Sequence, residues 1–186
     1  MLTKHGSESV QIKEVAKRAG VSRPVVYRLF PTRRDLMLAL LEDFEAELGA
    51  RFRDALVRTL PGTLAEITGA FVDACCEVIE KKGAGPWRLL DARGVTDSEV
   101  GRLGLAIHER LMAPWYPRIA TTTGLPAVRV RVLARVVVAA GRAVLDDWIE
   151  GNGSRTQAAA DATRAVTALL REFSQPASNS RRKAYG

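Results

Sequence analysis

Apolar residues recur along this chain with the period of a helix, and no alternating run of useful length predicts a strand. Ile12, Val15, Ala16 and Ala19 fall at i, i+3, i+4 and i+7, one face of a short helix that Gly20 ends. Ser22 is placed to cap the next helix, and Pro24 is tolerated in its first turn, where the backbone N–H has no intrahelical partner. That helix runs to about Phe30. Val21 is expected to plug the core between the two helices, and Val26, Leu29 and Phe30 to turn inward. Pro31 breaks the run, and Thr32 followed by Asp35 supplies a cap and a first-turn acid for a long helix to about Leu60.

Pro61-Gly62 stops that helix, and a further periodic run through Leu64, Ile67, Phe71, Cys75, Val78 and Ile79 ends at Lys81-Lys82-Gly83. Pro86 to Ala92 predicts a short helix. Thr96-x-x-Glu99 reads as a capping box introducing a helix from Val100 to about Trp115, which Pro114 and Pro117 keep from continuing. Pro126 opens a valine-rich segment to Ile149, too long for a strand and bounded as a buried helix by Pro126 and Gly151. Ser154 to Phe173 is the last helix, and residues 175–186 form a polar, basic tail expected to be disordered. The fold class is therefore all-α.

Charge changes this picture because it is localised. Residues 1–34 hold eight Lys and Arg against two Glu, whereas the remaining residues are nearly balanced, at 20 against 19. A basic face concentrated in a short segment suits phosphate binding. Cys75 and Cys76 are adjacent, poorly placed to pair with each other, and read as buried thiols. No stretch has the apolar length of a membrane span, and no apolar leader precedes a small-residue cleavage site, so a cytoplasmic protein without membrane contact is expected. No GxSxG, HExxH, P-loop or GxGxxG pattern and no Cys/His cluster is present, so neither an enzyme nor a metal or cofactor is expected.

The spacing of Ile12 to Phe30 serves a different purpose. Two short helices joined through Ala19-Gly20-Val21 make a helix-turn-helix, in which Gly20 can take the positive φ of a tight turn. The second helix then presents Arg23, Val25, Tyr27 and Arg28 to a major groove, where arginine suits guanine, valine the thymine methyl and tyrosine a phosphate.

The block Ala19-Gly20-Val21-Ser22, Val26-Tyr27, Phe30-Pro31-Thr32-Arg33 and Asp35-Leu36 resembles the signature of the TetR (tetracycline-repressor-like) family, and Trp148-Ile149-Glu150-Gly151 is similar to it more weakly. The resemblance implies a sequence-specific regulator that binds a double-stranded DNA operator through Ser22, Arg23, Val25, Tyr27, Arg28 and Arg33, and a repressor released by a small-molecule effector. Val25 departs from the threonine or asparagine frequent in that family, and Gln11 and Ile12 stand where it often has Ser or Thr. Ile12 to Ser22 is also similar to the lactose-repressor-like proteins, but the rest of the chain is helical and too short for their sugar-binding domain. A helical ligand-binding or scaffold dimer that has lost DNA binding is the alternative from another class.

Three segments are thus expected: a helix-turn-helix domain at 1–45, a helical effector-binding and dimerisation domain at 46–174, and the tail at 175–186. Phe71, Cys75, Trp87, Leu103, Ile107, Leu111, Met112 and Trp115 are candidates to line a largely apolar cavity for an unknown effector, with Arg88 and His108 as polar handles. The last two helices resemble the family's paired-helix dimer interface, with Val136, Ala140, Val144 and Trp148 on one and Ala158, Ala162, Ala165 and Leu169 on the other, giving a homodimer. The resemblance also implies a helix ahead of Lys4-His5-Gly6, so the first helix of the domain is expected to be truncated in this chain.

Overall fold

The computed structural model describes residues 12–90 and 98–174, apart from the side chains of Lys13, Glu14, Arg18, Ser98 and Ser174. The expectations of a truncated first helix, of a cap at Thr96, of a helix end at Ala92 and of a disordered tail all lie outside the described residues. Within them every regular element is helical: α1 (Ile12–Ala19), α2 (Arg23–Leu29), α3 (Arg33–Thr59), α4 (Leu64–Lys82), α5 (Ala84–Leu89), α6 (Ser98–Met112), α7 (Tyr116–Thr123), α8 (Ala127–Ile149) and α9 (Arg155–Ser174).

The helix starts show why the chain breaks where it does. Thr32 and Asp35 close a reciprocal cap: the Asp35 carboxylate accepts from the Thr32 N–H at 2.9 Å and from its hydroxyl at 2.8 Å, while the Asp35 N–H donates to Thr32 Oγ1 at 3.1 Å. Thr63 and Glu66 repeat the device at α4, where Glu66 accepts from the Thr63 N–H at 2.7 Å. This second box is written in the sequence as Thr-x-x-Glu, yet the periodicity of α4 alone does not call for it. Ser154 caps α9 through Gln157 N–H at 3.2 Å.

α7 corrects the expectation that Pro114 and Pro117 end the helical run. Pro114 lies in a single 3₁₀ turn, Ala113–Trp115, and Pro117 lies in the first turn of α7, where no backbone donor is lost. Gly124, in the left-handed region, terminates α7 and returns its N–H to the Ala120 carbonyl at 2.8 Å.

The contacts divide the chain into two compact units, one within residues 1–58 and 73–111, the other within 59–72 and 112–186. In the first, Leu36, Met37 and Leu41 of α3 form one core with Leu89 of α5 and with Val100 and Ile107 of α6. Val15 of α1 and Phe30 pack on the same core, so α3 supports the two short helices ahead of it. α6 runs parallel to α3 and is tied to it twice at the same sequence offset. Arg34 meets Glu99 at 3.0 Å near the start of α6, and Arg110 meets both carboxylate oxygens of Glu45 at 2.6 Å near its end. α3 is also bridged to α4, by Lys82 to Asp43 at 2.7 Å and by Lys81 to Glu47 and Arg51 to Glu77 at 2.8 Å. Cys75 and Cys76 are buried thiols.

In the second unit α7, α8 and α9 pack together. Val130, Leu133, Ala134, Val137, Gly141 and Leu145 recur on the inner face of α8 at helical spacing, which is why its β-branched run makes a helix and not a strand. At Gly141 a Cβ would lie 3.3 Å from Val166 Cγ2, so the absence of a side chain lets α8 and α9 close on each other. Phe71 meets Trp115 edge to face with ring centroids 5.0 Å apart.

Candidate nucleic-acid interface

The turn between α1 and α2 is built around Gly20 at φ +68°, with Val21 N–H returning to the Ala16 carbonyl at 3.1 Å. Ala16 and Val26 are buried and lock the two helices together. Val21 and Leu29 depart from expectation. Val21 is half-exposed, and Leu29 is 64% exposed. With seven residues in α2, one buried anchor, Val26, fixes the face, and Leu29 falls about 60° round the helix from it.

Val26 facing inward sends the rest of α2 outward. Arg23, Tyr27 and Arg28 are exposed, and Val25 is partly so. Ser22 takes the extended N-cap conformation, yet its hydroxyl makes no capping bond, and Pro24 removes a donor from the first turn, leaving the Ser22 hydroxyl exposed. Arg33, at the start of α3, is partly buried, and its Nε has no hydrogen-bond partner among the described residues. The structure thus gathers Arg23, Tyr27 and Arg28 on the projecting surface of one helix. Arg33 comes from the next helix, whose start the Thr32–Asp35 cap holds immediately after α2. Hydrogen bonds from the Thr32 hydroxyl and N–H hold the Asp35 carboxyl below the usual carboxylate range.

In the sequence Arg34 is one more charge of this segment, with no role of its own. It is exposed and faces Glu99, 65 positions away in sequence, so no local pattern announces the pair.

The expected effector residues divide between the two units. Cys75, Trp87 and Ile107 are buried in the first, Ile107 completely, while Leu103 and Leu111 pack at the margin of its core and Arg88 and His108 are partly exposed. Phe71, Met112 and Trp115 belong to the second unit. Of the expected dimer residues, Val136 is exposed, and Ala140, Val144, Trp148, Ala165 and Leu169 are partly exposed. Ala158 and Ala162 are buried within the single chain. Val128 and Val132, which precede Val136 by eight and four residues, are 69% and 44% exposed and continue its stripe along α8. Among the described residues no group of three or more His, Cys, Asp or Glu side chains is arranged to hold a metal, and no helix is long and apolar enough to cross a membrane.

Residues 1–40 match the model of a family described as bacterial regulatory proteins, tetR family. Over 134 residues the chain is 31% identical to the HTH-type transcriptional activator FasR of Mycolicibacterium smegmatis, a match covering 72% of this chain and 60% of FasR. It is 35% identical over 71 residues to proteins of Mycobacterium tuberculosis and Mycobacterium bovis named as uncharacterized HTH-type transcriptional regulators, spanning 35% of this chain and 38% of each relative. The chain therefore spans less than two thirds of the relatives it matches.

Proposed function

Because the chain belongs, through its helix-turn-helix, to the tetR family of bacterial regulatory proteins, we propose that it is a sequence-specific DNA-binding transcriptional regulator acting as a homodimer under the control of a small, partly apolar effector. One observation carries this reading: Val26 is buried, and Arg23, Tyr27 and Arg28 project together from α2. A short helix anchored through Val26, with two guanidiniums and a phenol exposed to solvent, is shaped for base edges and phosphates in a major groove. The Ser22 hydroxyl and Arg33 add phosphate contacts at either end of α2, and Val25 offers an apolar contact to a thymine methyl.

The exposed valine stripe of α8, with the partly exposed Ala140, Val144, Trp148, Ala165 and Leu169, supports pairing with a second copy through α8 and α9. Two helix-turn-helix modules at a fixed spacing would then read two half-sites about one DNA turn apart. The effector acts on the α5–α6 surface, where Arg88 and His108 are polar and Leu103 and Leu111 apolar, and it prefers the state that does not fit DNA. Repression by covering the operator is the output proposed, although the relative FasR is named an activator.

Selection of bound sequences from a random duplex pool tests the reading. Enrichment of an inverted repeat, lost in an Arg23→Ala/Arg28→Ala variant, is the expected result. Failure to retain any duplex at low salt would leave a helical ligand-binding dimer instead. A reporter placed behind the selected sequence then distinguishes repression from activation.

A further inference from the structure

Four arginines, Arg23, Arg28, Arg33 and Arg34, lie at or beside the DNA-reading face, and among the described residues Arg34 differs from the other three in having an anionic partner. Its Nη1 stands 3.0 Å from Glu99 Oε2, with both side chains 49% exposed. Asp35, the acid next to it, is already held by the hydroxyl and N–H of Thr32. A guanidinium organised around a carboxylate oxygen is equally suited to a phosphate oxygen, since both acceptors fit the same donor geometry. An exchange between them is easy because an exposed ion pair contributes little.

The two ties between α3 and α6 are unequal. Arg110 engages Glu45 with two nitrogens on two oxygens, each at 2.6 Å, whereas Arg34 and Glu99 are joined by a single 3.0 Å contact. Bidentate pairing is the stronger arrangement, so of the two ties the Arg34–Glu99 pair is the one that exchanges partners more readily.

We propose that Arg34 exchanges Glu99 for a DNA phosphate, which makes Glu99 an autoinhibitory residue and lets the first turn of α6 set how many cations the duplex meets. The inference rests on the DNA-binding reading above and adds a regulatory contact to it. By linkage, an effector that holds Glu99 against Arg34 weakens DNA binding by the same factor by which DNA weakens that effector.

Anisotropy titrations of the full chain with a labelled random-sequence duplex, across a series of salt concentrations, test this. R34Q is expected to bind every sequence more weakly, with a log–log salt slope shallower by about one. E99Q is expected to bind about two- to five-fold more tightly, the range that releasing an exposed ion pair allows. In the R34Q/E99Q double variant the gain from E99Q should vanish. The swap R34E/E99R keeps an ion pair at this position while removing the cation from position 34, so it should bind as weakly as R34Q with parental helicity and melting; that guards against a folding defect in the single variants. The proposal is overturned if R34Q retains the parental affinity and slope, if E99Q binds no more tightly, or if E99Q gives the same gain without Arg34, which would make Glu99 a general repulsive charge. An Arg23→Ala/Arg28→Ala variant separates the two levels. If it too binds like the parent, the DNA-binding reading fails; if it alone is impaired, only the exchange fails.

Discussion

At Gly20 the chain turns with φ +68°, and a Cβ there would meet no atom within 4 Å, so the constraint is one of backbone conformation and not of space. Gly20→Ala should therefore destabilise the helix-turn-helix by about 1 to 2 kcal/mol through left-handed strain alone. Faster hydrogen exchange in α1 and α2 would report it, and unchanged protection would show that the turn relaxes. If α2 reads DNA as proposed, Arg23→Ala or Arg28→Ala should weaken operator binding by roughly 1 to 3 kcal/mol where either makes a bidentate base contact. Arg33→Ala should lower affinity for all sequences alike. Competition against random duplex distinguishes these outcomes, and equal loss on both duplexes would move Arg23 and Arg28 from bases to phosphates. The outward set of α2 is legible in the sequence because Val26 fixes the face of a short amphipathic helix. Leu29 and Val21 are not, because hydrophobicity marks a preference for burial, whereas their exposure depends on what lies opposite.

Helix termini are the most legible elements where local chemistry decides them. Thr32 and Asp35 sit three apart and close their own hydrogen bonds, independently of tertiary structure. The same local rule makes α7 readable in principle, yet Pro117 reads as a breaker unless its place in a first turn, where proline is tolerated, is known. The caps also carry a pH dependence. Asp35 is held below the usual carboxylate range by hydrogen bonds from Thr32 first through its hydroxyl and then its N–H, and Glu66 by those from Thr63, N–H before hydroxyl. A carboxyl whose folded value is depressed contributes stability that is present above its unfolded value and lost as pH falls through the folded one. Helicity should therefore hold at neutral pH and decline only on acidification below about pH 4, the unfolded carboxylate range. Circular dichroism of Asp35→Asn and Glu66→Gln should show a shallower acid transition, starting from a less stable neutral protein. A transition as steep as the parent's would assign the acid sensitivity to other carboxyls, such as Glu47 beside Lys81 and Arg51.

For the molecule as a whole, association is the property most open to test. Val128, Val132 and Val136 form a solvent-facing stripe on α8 that the core of a single chain does not use. If a second copy covers it, Val132→Asp should raise the dimer dissociation constant by about two orders of magnitude, because a charge is then buried without a partner. Sedimentation at several concentrations reads this directly, and an intact dimer would move the interface off the stripe. Within the second unit, Gly141→Leu should cost roughly 1 to 3 kcal/mol by forcing α8 from α9, since even a Cβ would crowd Val166 at 3.3 Å. Helix class is legible at this scale, and so is helix order apart from α7, because the periodicity persists through most segments. The pairing of charges is not. Arg34 with Glu99 and Glu45 with Arg110 are fixed by the parallel course of α6 along α3, and nothing in the neighbouring sequence encodes that course.

The unequal ties between those two helices also have a mechanical meaning. Their anchor points are 11 residues apart on each helix, an arm of about 16 Å at the rise of an α-helix. A tilt of about 5° over that length would carry the end bearing Glu99 about 1.4 Å, yet Val100, wholly buried against the same core as Leu36, resists it. The looser contact therefore opens by rotation of the exposed Arg34 and Glu99 side chains, while the backbone of α6 stays seated along α3.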